Sequence, residues 1–517
     1  MVIKMSKLNI GWGEESLVPA KKVRLAGQFY ERISQYVESE ITATAMAVEA
    51  DGEQMIMISA DMTSIPDYVL EMVREKVGKE CSDFDPMKLM IAATHTHCSH
   101  TLAAPDGYKA KGNLPMPTTR EILAEFMPPE KEYKALVTAD DSVLDPKEAS
   151  VFVSDRIAKA AVKAWKNRKA AMFSNEFGRA AVGMCRRVHY DDGTSEMWGD
   201  TNSANFVSLE GGNDSGIELL YIFDTDKKLT GVVANIACPS QILEQRSFIS
   251  ADYWGRAKAI IREKLGSDIY LLGLGGAGGD QCPRDLVRWV QPETPIDDPH
   301  VIRPLPLKHK ADPSMFDISG CNKAGKRVAN EIISVYEAID TDSLMSEMKF
   351  CHKVKSLDLP LRKATKEEYN NAVREIEYYV QKNAGNDVFT YADNAKMYVH
   401  SGTILRYRMQ QTQEIYNIEY HAVRFGPVAF VTNPFELFLD YGNRIKARSY
   451  AEQTFIVQLC CGQAGYLPTE KAEKAGHYSA YITSGKVGHE GGDLLVREQL
   501  KDIAEMFEGE EIYDKIW

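Results

Sequence analysis

The chain has 517 residues, 44% of them hydrophobic, which allows a large buried core and about two to four domains' worth of length. Its formal net charge of −13 argues against a nucleic-acid or anionic-membrane surface, and no run of 18 or more apolar residues suits stable membrane insertion. Nine cysteines with no CxxC pair read as thiols or ligands in a reducing compartment; with no apolar leader after Met1, the expected location is the cytoplasm.

In chain order, Ile41–Ala50 and Glu53–Ala60 flank Asp51-Gly52 and predict a tight hairpin. Asp67–Glu80 has helical periodicity, and Lys88–Thr94 is a short apolar strand. Residues 101–150 are rich in Pro, Lys and Glu without clear periodicity, and read as a surface excursion that is either a lid or a plain insertion. Asp155–Lys169 predicts an amphipathic helix, Gly216–Phe223 and Leu229–Ala237 a strand pair, Ala251–Leu265 a helix and Asp268–Leu274 a strand. A second irregular, Pro-rich excursion covers 284–316. Helices follow near Lys323–Ile339 and Lys366–Asn383, then strands near Ile415–Phe425 and Val428–Thr432. A helix over Phe435–Ala447, a strand over Thr454–Cys460 and a closing helix over Gly492–Phe507 complete the pass. Strands and helices interleave, yet many strands are hairpin neighbours. That pattern predicts an α/β fold of mixed β-sheets with flanking helices.

The most informative segment is Thr94-His95-Thr96-His97-Cys98-Ser99-His100, where an apolar strand runs into three of the chain's eleven histidines. Residues two apart on a strand share a face, so His95 and His97 are expected to aim at one spot. Imidazole serves there as a metal ligand or a proton carrier. Gly273-Leu274-Gly275-Gly276-Ala277-Gly278 fits the dinucleotide pattern G-x-G-x-x-G, but Pro283 and the Pro-rich stretch beyond it spoil the helix that this fingerprint needs. The glycines instead let backbone approach a substrate, with Cys282 expected at the tip of a tight turn.

Taken together, these segments resemble the neutral/alkaline ceramidase family. Thr94-His95-Thr96-His97-Cys98 is similar to its T-H-T-H-S motif, and Gly279-Asp280-Gln281-Cys282-Pro283 to its G-D-x-S-P motif. Cys185-Arg186-Arg187 resembles the N-R segment. Asn235-Ile236-Ala237-Cys238-Pro239 with Ile249-Ser250-Ala251-Asp252 resembles the N-x-x-x-H…I-S-[AG]-D block. Asn433-Pro434-Phe435-Glu436 and Gly465-Tyr466-Leu467-Pro468-Thr469 resemble the P-G-E and G-Y-x-x-T blocks. The resemblance implies a single ceramidase-like catalytic domain over 1–517, without the family's C-terminal immunoglobulin-like domain. It also implies one zinc ion held by His95, Cys238, Glu436 and Tyr466.

Cys238 stands where the family has His. A thiolate can ligate zinc, or another transition metal, and a buried Cys can equally be an apolar filler. Cys282 replaces the family's site serine and is either a nucleophile or a spectator. Cys98 and Cys185 also replace polar residues, so a shared sulfur-rich metal site is a further reading.

By resemblance, Arg186 faces the scissile group and His97 handles the proton, making His97, Cys282 and Arg186 the catalytic candidates. Arg186, Gly278 and Asp280 are the substrate-binding candidates. Arg186 and Arg187 read equally well as a solvated basic pair. Asp61, His100 and His489 are candidates for supporting or capping roles. The implied activity is metal-dependent hydrolysis of an amide C–N bond in a small-molecule or lipid-like substrate. A small soluble amide is expected to be preferred over long-chain ceramide. Alternatives are a metal-dependent lyase or isomerase, a thiol-based transferase, or a non-catalytic binding protein. Oligomeric state is not set by the sequence.

Overall fold

The computed structural model describes residues 5–108, 119–128, 131–133, 140–287 and 317–508. The larger of its two main sheets is eight-stranded. Its strands are β1 (Asn9–Ser16), β2 (Thr42–Ala50), β3 (Glu53–Ala60), β4 (Leu89–Ala93), β5 (Lys169–Arg179), β6 (Gly216–Asp224), β7 (Leu229–Ile236) and β8 (Tyr270–Gly275). They lie in the order β8-β7-β6-β5-β1-β2-β3-β4. The smaller sheet runs from an edge strand, Met5–Lys7, through β9 (Glu347–Pro360), β10 (Ile415–Phe425), β11 (Val428–Thr432) and β12 (Gln453–Val457). The hairpin between β2 and β3 turns on Asp51 and Gly52, whose φ values of 51° and 79° match the right-handed strand twist.

The principal helices are α1 (Asp67–Glu80), α2 (Pro146–Lys166), α3 (Asp252–Leu265), α4 (Asp317–Glu337), α5 (Lys366–Lys382), α6 (Tyr391–Met409), α7 (Leu439–Arg448) and α8 (His489–Phe507). Most strand neighbours are antiparallel, but β3–β4, β7–β8 and β11–β12 are parallel. A parallel pair cannot close through a tight turn, so each is bridged by a crossover helix: α1, α3 and α7 respectively. The carboxyl ends of these strands meet. Ala93 N–H donates to the Leu459 carbonyl, Gln458 N–H to Gly275, and Gly276 N–H to Ile236. The loops that carry the site leave from this junction.

Between the sheets lies the main core, where Phe173 packs edge-on against Phe425 at 4.8 Å and Phe430 stacks on Phe455 at 4.4 Å. Fully burying a side chain of this kind is worth about 1.5–3 kcal/mol, so this seam contributes heavily to stability. Among the described residues, no helix is long and apolar enough to cross a membrane.

The α/β fold of mixed sheets and flanking helices agrees with the expectation. Several boundaries do not. The helix expected over Asp155–Lys169 starts at Pro146, capped by the Asp145 side chain, and gives way to β5 at Lys169. The helix expected from Phe435 starts at Leu439, because Glu436–Leu437 pairs as a strand with Tyr466–Leu467. The 101–150 excursion is not purely superficial: in its short helix Thr119–Ala124, Ile122 and Leu123 are fully buried against α5 and α6. Parts of that excursion, and 288–316 of the second one, lie outside the described residues.

Candidate active site

β4 stops at Ala93, so His95 and His97 lie beyond the strand and are not aligned by strand alternation. A turn brings them together instead. His95 has φ +68°, a left-handed conformation that a non-glycine residue adopts at a cost and that clusters at functional sites. The result is the expected convergence by another route, with the two Nε2 atoms 3.3 Å apart. The turn is anchored from below. Asp61, at the end of β3, accepts from Thr42 N–H at 2.8 Å and from the Thr94 hydroxyl at 3.2 Å, and the Thr96 hydroxyl donates to the Ser250 carbonyl at 2.6 Å.

His95 Nδ1 donates to the Thr63 carbonyl at 2.7 Å, which leaves Nε2 as the inward-facing nitrogen. Glu436 Oε2 lies 3.4 Å from that nitrogen. His97 Nε2 and the Glu436 carboxylate thus lie 3.3 and 3.4 Å from His95 Nε2, an arrangement that a shared proton or a metal ion can bridge. Burial lowers the His95 pKa, but the Glu436 carboxylate outweighs it and raises the imidazole above its usual value. His97 is pushed well below its usual range by burial and by the positive charge of its neighbours, so it stays neutral. Burial raises Glu436, but His95 and Arg186 outweigh it and keep the carboxylate ionised.

The parallel pairing of Glu436 with Tyr466 sets their side chains next to each other. Arg186 joins them. It is buried, and its Nη2 donates to the Tyr466 hydroxyl at 3.3 Å and to the Gly279 carbonyl at 2.8 Å, while Nη1 donates to Gln241 at 3.3 Å. The reading of Arg186-Arg187 as a solvated pair is corrected, since both are buried. Arg186 Nε, Gln241 Nε2 and His97 Nδ1 are buried yet make no hydrogen bond within the protein. These atoms are available to bond a molecule bound at the site.

The structure thus brings together His95, His97, Glu436, Tyr466 and Arg186. It does not place Cys238 with them in one ligand set. The Cys238 thiol is fully buried and faces the Pro239 carbonyl at 3.5 Å, and burial holds its pKa well above the usual value. Cys282 is not at a turn tip. It pairs as a strand residue with Met184, is fully buried and donates to the Arg284 carbonyl at 3.1 Å. Burial lifts its pKa to about 12 despite the nearby Arg186 charge. Cys98 and Cys185 likewise contact backbone carbonyls, those of Leu243 and Arg187. Among the described residues, no three of these four cysteines form a metal-sized group.

Asp280 caps α7 from outside by accepting Leu439 N–H at 2.9 Å, and Gly278 N–H donates to Gln458 at 3.1 Å. Both hold the glycine loop in place. Gly279 is required by close approach, because a Cβ there would sit 2.3 Å from the Glu436 carbonyl. The dinucleotide reading fails as expected, since the two-residue strand Gln281–Cys282 follows the glycines and no helix opens there. His100 is buried against the Leu17 carbonyl, and His489 pairs with Glu473 at the start of α8.

Several residues of the site carry no sequence signal. Arg32 is buried and donates to the carbonyls of His97, Ala26 and Arg246 at 2.6–2.7 Å, fixing the histidine turn. Gly27, at φ +93°, lies against the His97 ring, where a Cβ would come within 2.5 Å. Glu244 Oε2 is 3.5 Å from His97 Nδ1. Tyr478 stacks edge-on against Tyr466 at 5.7 Å and against Phe29 at 6.3 Å, and Phe29 meets Tyr398 at 5.3 Å. Phe29 is 48% exposed, so this aromatic run leads from the site to the surface.

Comparison with solved structures places this architecture. The chain matches the neutral ceramidase of Pseudomonas aeruginosa with a TM-score of 0.63 at 14% identity, over 97% of this chain and 75% of that one. It matches a structure described as ceramidase complexed with C2 with a TM-score of 0.60 at 14% identity, over 96% and 75%. The chain has the neutral ceramidase fold. No family model matches the sequence, and no curated protein matches it significantly.

Proposed function

We propose that residues 1–517 form one catalytic unit that hydrolyses an amide bond with the help of a metal ion. The observation that carries this reading is the convergence of His95 Nε2, the Glu436 carboxylate and Tyr466 on one buried point beside Arg186, within a ceramidase fold. The donor set fits a zinc ion, or a related transition metal: one imidazole with its outer nitrogen tied to a carbonyl, one carboxylate and one phenol. His95, Glu436 and Tyr466 would hold the ion, and Cys238 stays outside the set. When bound, the ion would polarise a carbonyl and acidify a water.

The chain's own groups do the rest. Arg186, with its unpaired Nε, orients the scissile carbonyl. Neutral His97 takes the proton of the attacking water at Nε2 and returns it to the departing nitrogen. The Glu244 carboxylate lies 3.5 Å from Nδ1, close enough to favour a proton on that nitrogen once substrate is bound. The aromatic run from Tyr466 to Phe29 receives an apolar substituent, which suits a short N-acyl amide. We place this work in the cytoplasm, on a soluble substrate. The protonated state of Cys282 and Cys238 favours this reading over thiol chemistry.

The test is hydrolysis of short N-acyl amides by the full chain before and after chelation. Activity lost with the metal, restored by zinc and absent in His95→Ala is the expected result. Undiminished turnover in metal-stripped protein would overturn the metal's role, and faster turnover of long-chain ceramide than of short amides would overturn the substrate class.

A further inference from the structure

Glu419, His421 and Cys461 stand apart from the candidate active site, at the seam between the two sheets. Among the described residues they are the only three His, Cys, Asp or Glu side chains whose ligand atoms all lie within 4.8 Å of one another. Glu419 Oε1 is 3.0 Å and Cys461 Sγ 3.6 Å from the same nitrogen, His421 Nε2. A chain of imidazoles reserves that nitrogen. His352 Nδ1 donates to the Gln54 carbonyl at 3.0 Å, so its Nε2 accepts from His421 Nδ1–H at 2.8 Å. A metal-binding histidine is usually oriented in this way through its second nitrogen.

The other two donors are equally fixed. Arg74 grips Glu419 through both guanidinium nitrogens at 2.6 and 3.0 Å, leaving carboxylate lone pairs free toward His421. Cys461 is held at φ +55°, with its N–H on the Ile91 carbonyl. Its sulfur is buried and lies 3.6 Å from His421 Nε2.

We propose that Glu419, His421 and Cys461 bind a divalent transition ion, zinc by its fit to thiolate and imidazole, as a structural clamp behind the histidine turn. On binding, the one proton held between His421 Nε2 and Cys461 Sγ passes to solvent and the ion takes its place. Two negative ligands then balance its charge, and Arg74 stays outside as a partner of Glu419. The partly exposed Glu419 edge is the way in. The clamp joins β10 to the loop after β12, which is bonded to β4, the strand that leads to His95.

Cobalt(II) is the probe, because thiolate ligation gives it a charge-transfer absorption in the near ultraviolet. Metal-stripped full chain is titrated with cobalt, alongside Cys461→Ser, Glu419→Gln and Cys238→Ser. The expected result is a thiolate band that persists in Cys238→Ser, disappears in Cys461→Ser and needs about tenfold more cobalt in Glu419→Gln. Zinc should raise the melting temperature of wild type and of Cys238→Ser. Absence of any thiolate band, or a band lost in Cys238→Ser and kept in Cys461→Ser, overturns the proposal. Glu419→Gln keeps the test valid if Cys461→Ser does not fold, since unchanged cobalt affinity in that variant also overturns it. Hydrolysis of the amide probe does not enter these readouts, so the two proposals fail separately.

Discussion

Arg186 and Arg187 are consecutive, both buried, and face two regions that follow opposite rules. On one side is the candidate active site, where Arg186 Nε and Gln241 Nε2 make no hydrogen bond within the protein. On the other is the supporting shell, where Arg187 is saturated. It makes a two-pronged contact with Glu210 at 2.7 and 2.9 Å and donates to the Tyr478 and Gly476 carbonyls and the Ser479 hydroxyl. Each guanidinium nitrogen of Arg187 thus has a partner, as buried polar groups in folded proteins usually do. Arg186 departs from that pattern, and the proposed function gives a reason for it. Residue type therefore says little about role here, and pairing says much.

The comparison is most exposed to test at Arg187. Removing its cation in Arg187→Met leaves Glu210 buried without a partner, which costs about 3–5 kcal/mol. The loop that presents Tyr478 loses its anchor as well. A urea melt should show this loss; a change under about 1 kcal/mol would mean that the pair is not the strut described.

Arg186→Ala should do the reverse. If Arg186 orients the scissile carbonyl as proposed, kcat/KM on an N-acyl amide should fall about a hundred- to a thousandfold, as for loss of an electrostatic donor at a reacting carbonyl. Its melting point should move less than that of Arg187→Met. Equal destabilisation of the two variants would erase the distinction between site and shell.

The shell also predicts how the fold responds to acid. Glu14 sits among Lys258, Arg262 and Thr44. Burial raises its pKa, but the two cations outweigh it and bring it to about 2. A carboxylate with a depressed folded-state pKa contributes stability that is complete above its unfolded value of about 4.5 and is lost as pH falls toward about 2. Glu14→Gln should therefore be less stable than wild type by about 1.5–3 kcal/mol at neutral pH. The gap should close between pH 4.5 and 2, which denaturant melts at stepped pH would show. A gap independent of pH would assign the effect to packing.

Much of the fold was legible because periodicity reports it. The hairpin at Asp51-Gly52, the helices α1, α3 and α5 and strands β6, β7, β10 and β11 all keep a clear pattern of apolar residues. What escaped had a physical reason. In β1, Gly11 and Gly13 interrupt the alternation. β5 begins directly after α2, so charged helix-like residues hide the change. α6 has little amphipathic contrast, because it is packed on more than one side. At the candidate site, the family-like motifs pointed to His95, Glu436, Tyr466 and Arg186, which the structure brings close together. Glu244, Arg32 and Tyr478 stayed hidden, because what gathers them is tertiary: loops leaving strands far apart in sequence. The seam residues Glu419, His421 and Cys461 escaped for the same reason.

The smallest effect is expected at Cys282, and it is the sharpest check on reading role from motif position. The motif places a nucleophile there, where the family has its site serine. The structure gives the thiol no exposure, a backbone carbonyl as partner and a pKa of about 12. Burial keeps the thiol protonated at neutral pH, which does not suit a nucleophilic step without a base beside it. The side chain faces Met184 across a two-residue strand pair and fills space. Cys282→Ala should therefore leave kcat/KM within about twofold of wild type while costing about 1 kcal/mol for the small cavity left behind. Turnover and a denaturant melt on the same preparation separate the two quantities. A loss of several orders of magnitude in turnover, with stability intact, would return Cys282 to the chemistry and mean that burial in the resting structure does not describe the working state.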